Sequence, residues 1–264
     1  METKEIIMGS QGGGIGDNLQ ITPIFKYFKN SIIEVKDNDN GRKVAPLYEG
    51  MADIIFKPNP IFQEQSFNIY GDPQRSHPLR NGALNYLCIF NIQNKVSPIP
   101  WILLKKEEIE WAKEFLKDYK NPLAIVCSNS GYKIGSTASY RFLDFEKWQH
   151  IINEYSKKYT ILQFGASNDT TDLNNIIPLL SLSVRQMAAC FHVIGKCISI
   201  DTGPYHLALA AGAYVKCLVP TFGFTTDYFF GNWSYSPEMF DGQVRANYYT
   251  FEDYKTIFSD NIFF

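Results

Sequence analysis

The sequence predicts an α/β protein built on parallel sheets, and three observations carry that prediction. Short apolar runs of strand type alternate with helical patterns in two blocks, one before and one after an amphipathic stretch over 105–120. Strands that alternate with helices are joined by crossovers, so they run parallel with helices on both faces. Thirdly, the apolar run 197–200 passes directly into a helix start at Asp201-Thr202-Gly203-Pro204. Two Rossmann-like domains facing each other across a cleft follow from this. The first domain is 1–104, a linker helix is 105–120, and the second domain is 121–264.

Each element has its own local reason. Residues 5–8 read as a strand, and the glycine-rich stretch 9–17 leads into one helix with Ile21, Ile24, Phe25 and Phe28 on a single face. Residues 32–35 and 52–56 read as further strands, and Asp37-Asn38-Asp39-Asn40-Gly41 between them reads as a polar turn. From 57 to 100 the periodicity is too weak to place elements. Over 105–119, Ile109, Ala112, Phe115, Leu116 and Tyr119 share a face, and Asn121-Pro122 ends the helix.

The second alternation opens with a strand at 123–127. A helix capped by Asp144 follows, carrying Phe145, Trp148, Ile151, Ile152 and Tyr155, and then a strand at 160–165. Ser183 with Gln186 forms a capping box for a helix through Phe191. Next come the strand into Asp201, an alanine-rich helix stopped by Gly212, a strand at 214–219 and a short helix at 251–258.

Composition narrows the function classes. A chain of 264 residues, 45% hydrophobic, builds its core without disulfide or metal. A net charge of -2 and a pI near 6.1 give no basic field, which argues against a nucleic-acid partner. The five cysteines show no C-x-x-C pair and most sit in apolar runs, as small core residues in a reducing compartment do. No signal-peptide profile and no spanning apolar run are visible, so a cytoplasmic protein is expected, with peripheral membrane contact left open. His77, His150 and His192 lack metal-ligand spacing, and no metal site is expected.

A helix start left open at the carboxyl end of a strand aims N–H groups at whatever lies there, which favours phosphate. Asp201 and Thr202 are the N-cap candidates and Pro204 suits the first helical position. Asp201, the N–H groups of Thr202, Gly203 and Tyr205, the Thr202 hydroxyl and His206 are the candidate nucleotide contacts. Ser128 and Asn129, after the strand at 123–127, join them at the edge where ligands collect in open α/β sheets. Gly14 and Gly16 permit close backbone approach to sugar or phosphate. Asp17 breaks the G-x-G-x-x-G spacing, and no Gly-Lys-Ser/Thr follows, so neither the dinucleotide fingerprint nor the P-loop fits.

Two motifs carry a resemblance. Gly16-Asp17-Asn18-Leu19-Gln20-Ile21-Thr22-Pro23 is similar to the opening G-D-x-(apolar)-x-x-T-P signature of the family 9 glycosyltransferases. Residues Asp201 to Ala208 resemble that family's D-[ST]-G-P-x-H-L-A signature. The resemblance covers about 1–35 and 120–225. The resemblance implies the GT-B fold and metal-independent, inverting transfer of a sugar, commonly heptose from ADP-heptose, to a hydroxyl of a bacterial surface glycan precursor. It implies a nucleotide-sugar donor in the second domain, an acceptor in the first, and no cofactor beyond the donor. Asp17 becomes the candidate general base. Arg141, in Ser139-Tyr140-Arg141-Phe142, stands where the family often places a Lys ahead of a Trp, and is the candidate diphosphate cation. The stretch between the motifs is short, in the half that binds the acceptor. A non-catalytic nucleotide-sugar-binding relative and a nucleotide-sugar epimerase or hydrolase remain as alternatives.

Overall fold

The computed structural model describes residues 7–10, 14–60, 87, 90, 92, 94–127, 143–166, 169, 172–219 and 246–259. Described residues up to Leu103 form one compact unit and those from Leu104 onward another.

In the first unit β1 (Ile7–Gly9), β2 (Ser31–Lys36) and β3 (Ala52–Lys57) form a parallel sheet in that order. The single helix expected after the glycine-rich stretch is instead broken in two. It comprises α1 (Ile15–Leu19) and a 3₁₀ segment, Thr22–Lys26. Pro23 has no N–H to continue the ladder, and the Thr22 hydroxyl donates to Leu19 O at 2.8 Å. Burial of Ile21, Ile24, Phe25 and Phe28 nonetheless follows the apolar pattern. The expected polar turn at 37–41 is a helix start. Asn38 caps α2 (Asp39–Val44), its Oδ1 accepting from Gly41 N–H at 2.8 Å. Only glycine fits there, because a Cβ at Gly41 would lie 1.8 Å from Lys36 O. A 3₁₀ turn, Ala45–Tyr48, leads on to β3.

Among the described residues the second unit holds six parallel strands. They are β4 (Pro122–Val126), β5 (Thr160–Phe164), β6 (Ile177–Leu179), β7 (Lys196–Ile200), β8 (Tyr214–Val219) and β9 (Ala246–Thr250). Their order is β6-β5-β4-β7-β8-β9. Counted within the unit this is 3-2-1-4-5-6, the doubly wound order in which the direction of winding reverses between the first and fourth strands. β6 and β9 have no counterpart in the sequence reading. Both are edge strands, one short and proline-containing and the other polar, so neither carries a buried strand's apolar run.

Helices α3 (Lys106–Leu116), α4 (Phe145–Ser156), α5 (Val184–Ile194) and α6 (Gly203–Ala210) cover the sheet, and a 3₁₀ segment, Tyr254–Phe258, replaces the last expected helix. Trp148, Ile151, Ile152 and Tyr155 of α4 pack against Ile125, Ile161, Ile198 and Ile257. Full burial of each large apolar chain contributes about 1.5–3 kcal/mol, an upper estimate because the unfolded chain is itself partly compact. Asp144 occupies the N-cap of α4 without a side-chain cap bond, and lies 3.5 Å from Lys147 Nζ. The capping box of α5 forms in both directions, at 2.9 and 3.2 Å, and Gly195 ends the helix at φ +71°. Lys216, buried on β8, donates to the Tyr155 hydroxyl at 3.2 Å and to Ile257 O at 3.0 Å.

Candidate functional site

Register sets the site in the second unit. Val126 of β4 pairs with Ser199 of β7, so the chain leaves β4 at Cys127 one strand away from where it leaves β7 at Asp201. This is the point where the winding reverses, and ligands of open α/β sheets bind outside the carboxyl ends of such strands.

Thr202 is the N-cap of α6, Gly203 the first helical residue and Pro204 the second, one place further in than the sequence suggested. Proline is tolerated there because the first N–H groups of a helix have no intrahelical partner. The Tyr205 and His206 N–H groups donate to Thr202 O at 3.1 and 3.4 Å. No described residue accepts from the N–H of Thr202 or Gly203, which leaves these two amides at the helix start. The Thr202 hydroxyl turns back to Ile200 O at 3.4 Å. Tyr205 is fully buried with its hydroxyl 2.7 Å from that of Tyr248 on β9, so its N–H and its ring both serve the fold. His206 is also buried, and its Nε2 lies 3.6 Å from Asp201 Oδ1. That pairing ties the strand end to the helix. Asp201 also faces β8. The Cys217 thiol is pushed far up, first by burial and then by the Asp201 charge.

Asp169, in the loop after β5, was not singled out from sequence. It is 2% exposed, its Oδ2 accepts from Ala166 N–H at 2.7 Å, and its carbonyl accepts from Gln163 Nε2 at 2.8 Å. A Cβ on Gly165 would sit 2.7 Å from that carboxylate. The available signal was an acidic residue closing a polar turn after a strand that ends in glycine. Burial pushes the Cys127 thiol up to about 12, and the Asp169 charge adds to it. Three adjacent strand ends, of β5, β4 and β7, thus carry Asp169, Cys127 and Asp201. Ser128, Asn129 and Arg141 lie outside the described residues.

α3 and α5 are joined by Glu108 and Arg185, whose Nε–Oε1 and Nη2–Oε2 distances are 2.5 and 2.6 Å. The Arg185 hydrogen bond is the main cause holding the Glu108 carboxyl below its usual value. The first turns of these helices line a cavity of about 370 Å³ beside Trp111.

In the first unit Gly14 is the N-cap of α1 and Asp17 the third helical residue. Asp17 Oδ2 accepts from Gly14 N–H at 2.8 Å. This is half of a capping box, since glycine has no side chain to return the bond. Gly14 is exposed, and a Cβ there would meet nothing within 4 Å, whereas Gly16 is buried. Asp37-Asn38-Asp39 leads into α2, with Asp37 paired to Arg42 at 2.7 Å. No described helix is long and apolar enough to cross a membrane.

The sequence matches no family model and no curated protein. Solved structures do resemble it along most of its length. A glycosyl transferase family 9 protein from Veillonella parvula DSM 2008 has a TM-score of 0.65 at 14% identity, over 100% of this chain and 91% of that one. The E. coli heptosyltransferase WaaC, in a structure with ADP, has 0.58 at 11% identity, over 97% and 98%. E. coli ADP-heptose LPS heptosyltransferase II has 0.57 at 8%, over 98% and 95%. At such identities fold is the property in common. The parallel sheets, the 3-2-1-4-5-6 order and these similarities lead to one statement: this chain has the fold of the family 9 glycosyltransferases, heptosyltransferases among them.

Proposed function

We propose that this chain is a glycosyltransferase of GT-B type that takes its sugar from a nucleoside-diphosphate donor. ADP-heptose is the first candidate, because similar structures are heptosyltransferases and one of them holds ADP. The observation that carries the reading is the D-T-G-P helix start at the switch point of the six-stranded sheet, with the Thr202 and Gly203 amides left over. Such a helix start offers an anion about 0.3–2 kcal/mol, and more as charge grows on the leaving group.

In the proposed step the acceptor oxygen attacks the anomeric carbon from the face opposite the diphosphate. A C–O bond forms to the acceptor, the anomeric C–O bond to phosphate breaks, and the nucleoside diphosphate departs with that electron pair. Asp17 takes the acceptor's hydroxyl proton. The α6 amides and Arg141 hold the diphosphate, Ser128 and Asn129 add polar contacts beside it, and Asp201 orients His206 next to the helix start. No metal is required in this scheme. The acceptor is a hydroxyl of a bacterial surface glycan, and the protein works in the cytoplasm.

A thermal-shift screen of ADP, UDP, GDP and ADP-heptose tests the reading, since a ligand that binds only the folded state raises the midpoint. ADP and ADP-heptose are expected to raise it, and product analysis is expected to give β-to-α or α-to-β inversion with acceptor present. Absence of a shift with every nucleotide sinks the proposal. Free sugar from donor alone makes the protein a hydrolase, and affinity without turnover makes it a binding protein.

A further inference from the structure

The first unit contains a buried polar relay that ends at Asp17, and this inference rests on Asp17 acting as the base. Tyr48, in the 3₁₀ turn before β3, is fully buried with its ring edge-on to Phe25 at 6.0 Å. Its hydroxyl donates to Asn18 Oδ1 at 2.6 Å. Asn18 is likewise fully buried, and its Nδ2 donates to Gly14 O at 2.8 Å while its own N–H reaches the same carbonyl at 3.2 Å. On the other side of the Gly14 Cα, the Gly14 N–H donates to Asp17 Oδ2. Gly14 itself is exposed and has no side chain to pack, so hydrogen bonds set its position.

We propose that Asn18 and Tyr48 are positioning residues for Asp17, holding the Gly14 corner to which one oxygen of the carboxylate is tied. The chain of contacts runs from the phenol through the Asn18 amide to the Gly14 carbonyl, and across that residue to the carboxylate. A side-chain amide can do this only if its oxygen and nitrogen are assigned in one sense, and the Gly14 carbonyl fixes that sense because it can only accept, which turns Asn18 Oδ1 to the phenol. The phenol stays protonated. Burial, and after it the Asp17 charge, hold its ionisation well above the usual 10. A general base gains from such a tether because reacting groups misplaced by about 1 Å lose on the order of 10²-fold in rate.

The test compares wild type, Tyr48→Phe, Asn18→Ala and Asp17→Asn by NMR amide exchange and by ADP release from ADP-heptose with a bacterial surface-glycan extract. Tyr48→Phe and Asn18→Ala are expected to lower protection of the Gly14 amide about tenfold, leaving Ile33 in β2 unchanged, and to lower kcat about tenfold at unchanged ADP affinity. Unchanged Gly14 protection in both variants overturns the relay, whatever happens to turnover. Lower protection with full turnover overturns its role in catalysis when Asp17→Asn is impaired. If Asp17→Asn turns over as wild type does, the base assignment fails; if wild type itself does not turn over, the transferase reading fails; in both cases the exchange data still decide whether the relay holds Asp17.

Discussion

Asp17 and Asp201 are the same residue type in different surroundings. Asp17 is partly exposed and tied through one oxygen to Gly14 N–H, whereas Asp201 is buried beside His206. Replacing Asp17 by Asn is expected to lower transfer by ~10²–10⁴ while ADP affinity, read by calorimetry, stays unchanged. Glu108 gives a pH prediction. Its folded carboxyl value is lowered, chiefly by the Arg185 hydrogen bond, below the usual 4.5. The pair therefore stabilises the fold above that usual value and ceases to do so as pH falls through the lower, folded one. The difference in Tm between wild type and Glu108→Gln is expected to be constant at neutral pH and to close in acid. A difference that widens in acid refutes the sign. Asp201 and Thr202 were legible as candidates because residue type and spacing at a strand-to-helix junction are local, and Asp17 and His206 were candidates through the two motifs that carry the resemblance. Asp169 and Tyr48 were not, since what marks them is burial and partners remote in sequence.

At the scale of elements, α5 was readable from its start, whereas its end lies at Ile194, beyond the expected Phe191. Ser183 and Gln186 exchange cap bonds, and Gly195 takes the left-handed conformation that ends the helix. Ser183→Ala is expected to lower unfolding free energy by about 1 kcal/mol, measured in urea with an unchanged m-value. The region after the glycine-rich stretch was read less well. Its apolar spacing predicted which face is buried, but Pro23 and the Thr22 hydroxyl divide one helix into α1 and a 3₁₀ segment. Trp101 secures that break, its Nε1 donating to Thr22 O at 2.6 Å and its N–H to Thr22 Oγ1 at 3.0 Å. A partner 79 residues away in the chain is invisible to a local pattern. Strands β6 and β9 escaped for a related reason: they are the outermost of the described strands and carry no continuous apolar run.

For the molecule as a whole, the cysteines give a measurable statement. Cys127, Cys190, Cys197 and Cys217 are all buried and unbridged. Burial pushes Cys127 and Cys190 up to about 12 and the other two further still. At pH 8 a thiol of that kind is ionised to about 1 part in 10⁴, and the thiolate is the reactive form. These four are expected to react with a disulfide reagent only at the rate of unfolding, and fast labelling of any of them by mass spectrometry contradicts the packing. The sequence by itself determined the alternation of strands and helices, the strand that runs into α6 and the residue types at that junction, because periods of 2 and 3.6 and capping chemistry act over a few residues. Only the tertiary structure decided that β4 lies between β5 and β7, which brings Asp169, Cys127 and Asp201 to one edge. Strand order is a choice among pairings distant along the chain, and parallel ladders between buried apolar strands carry no local mark of which neighbour each will take.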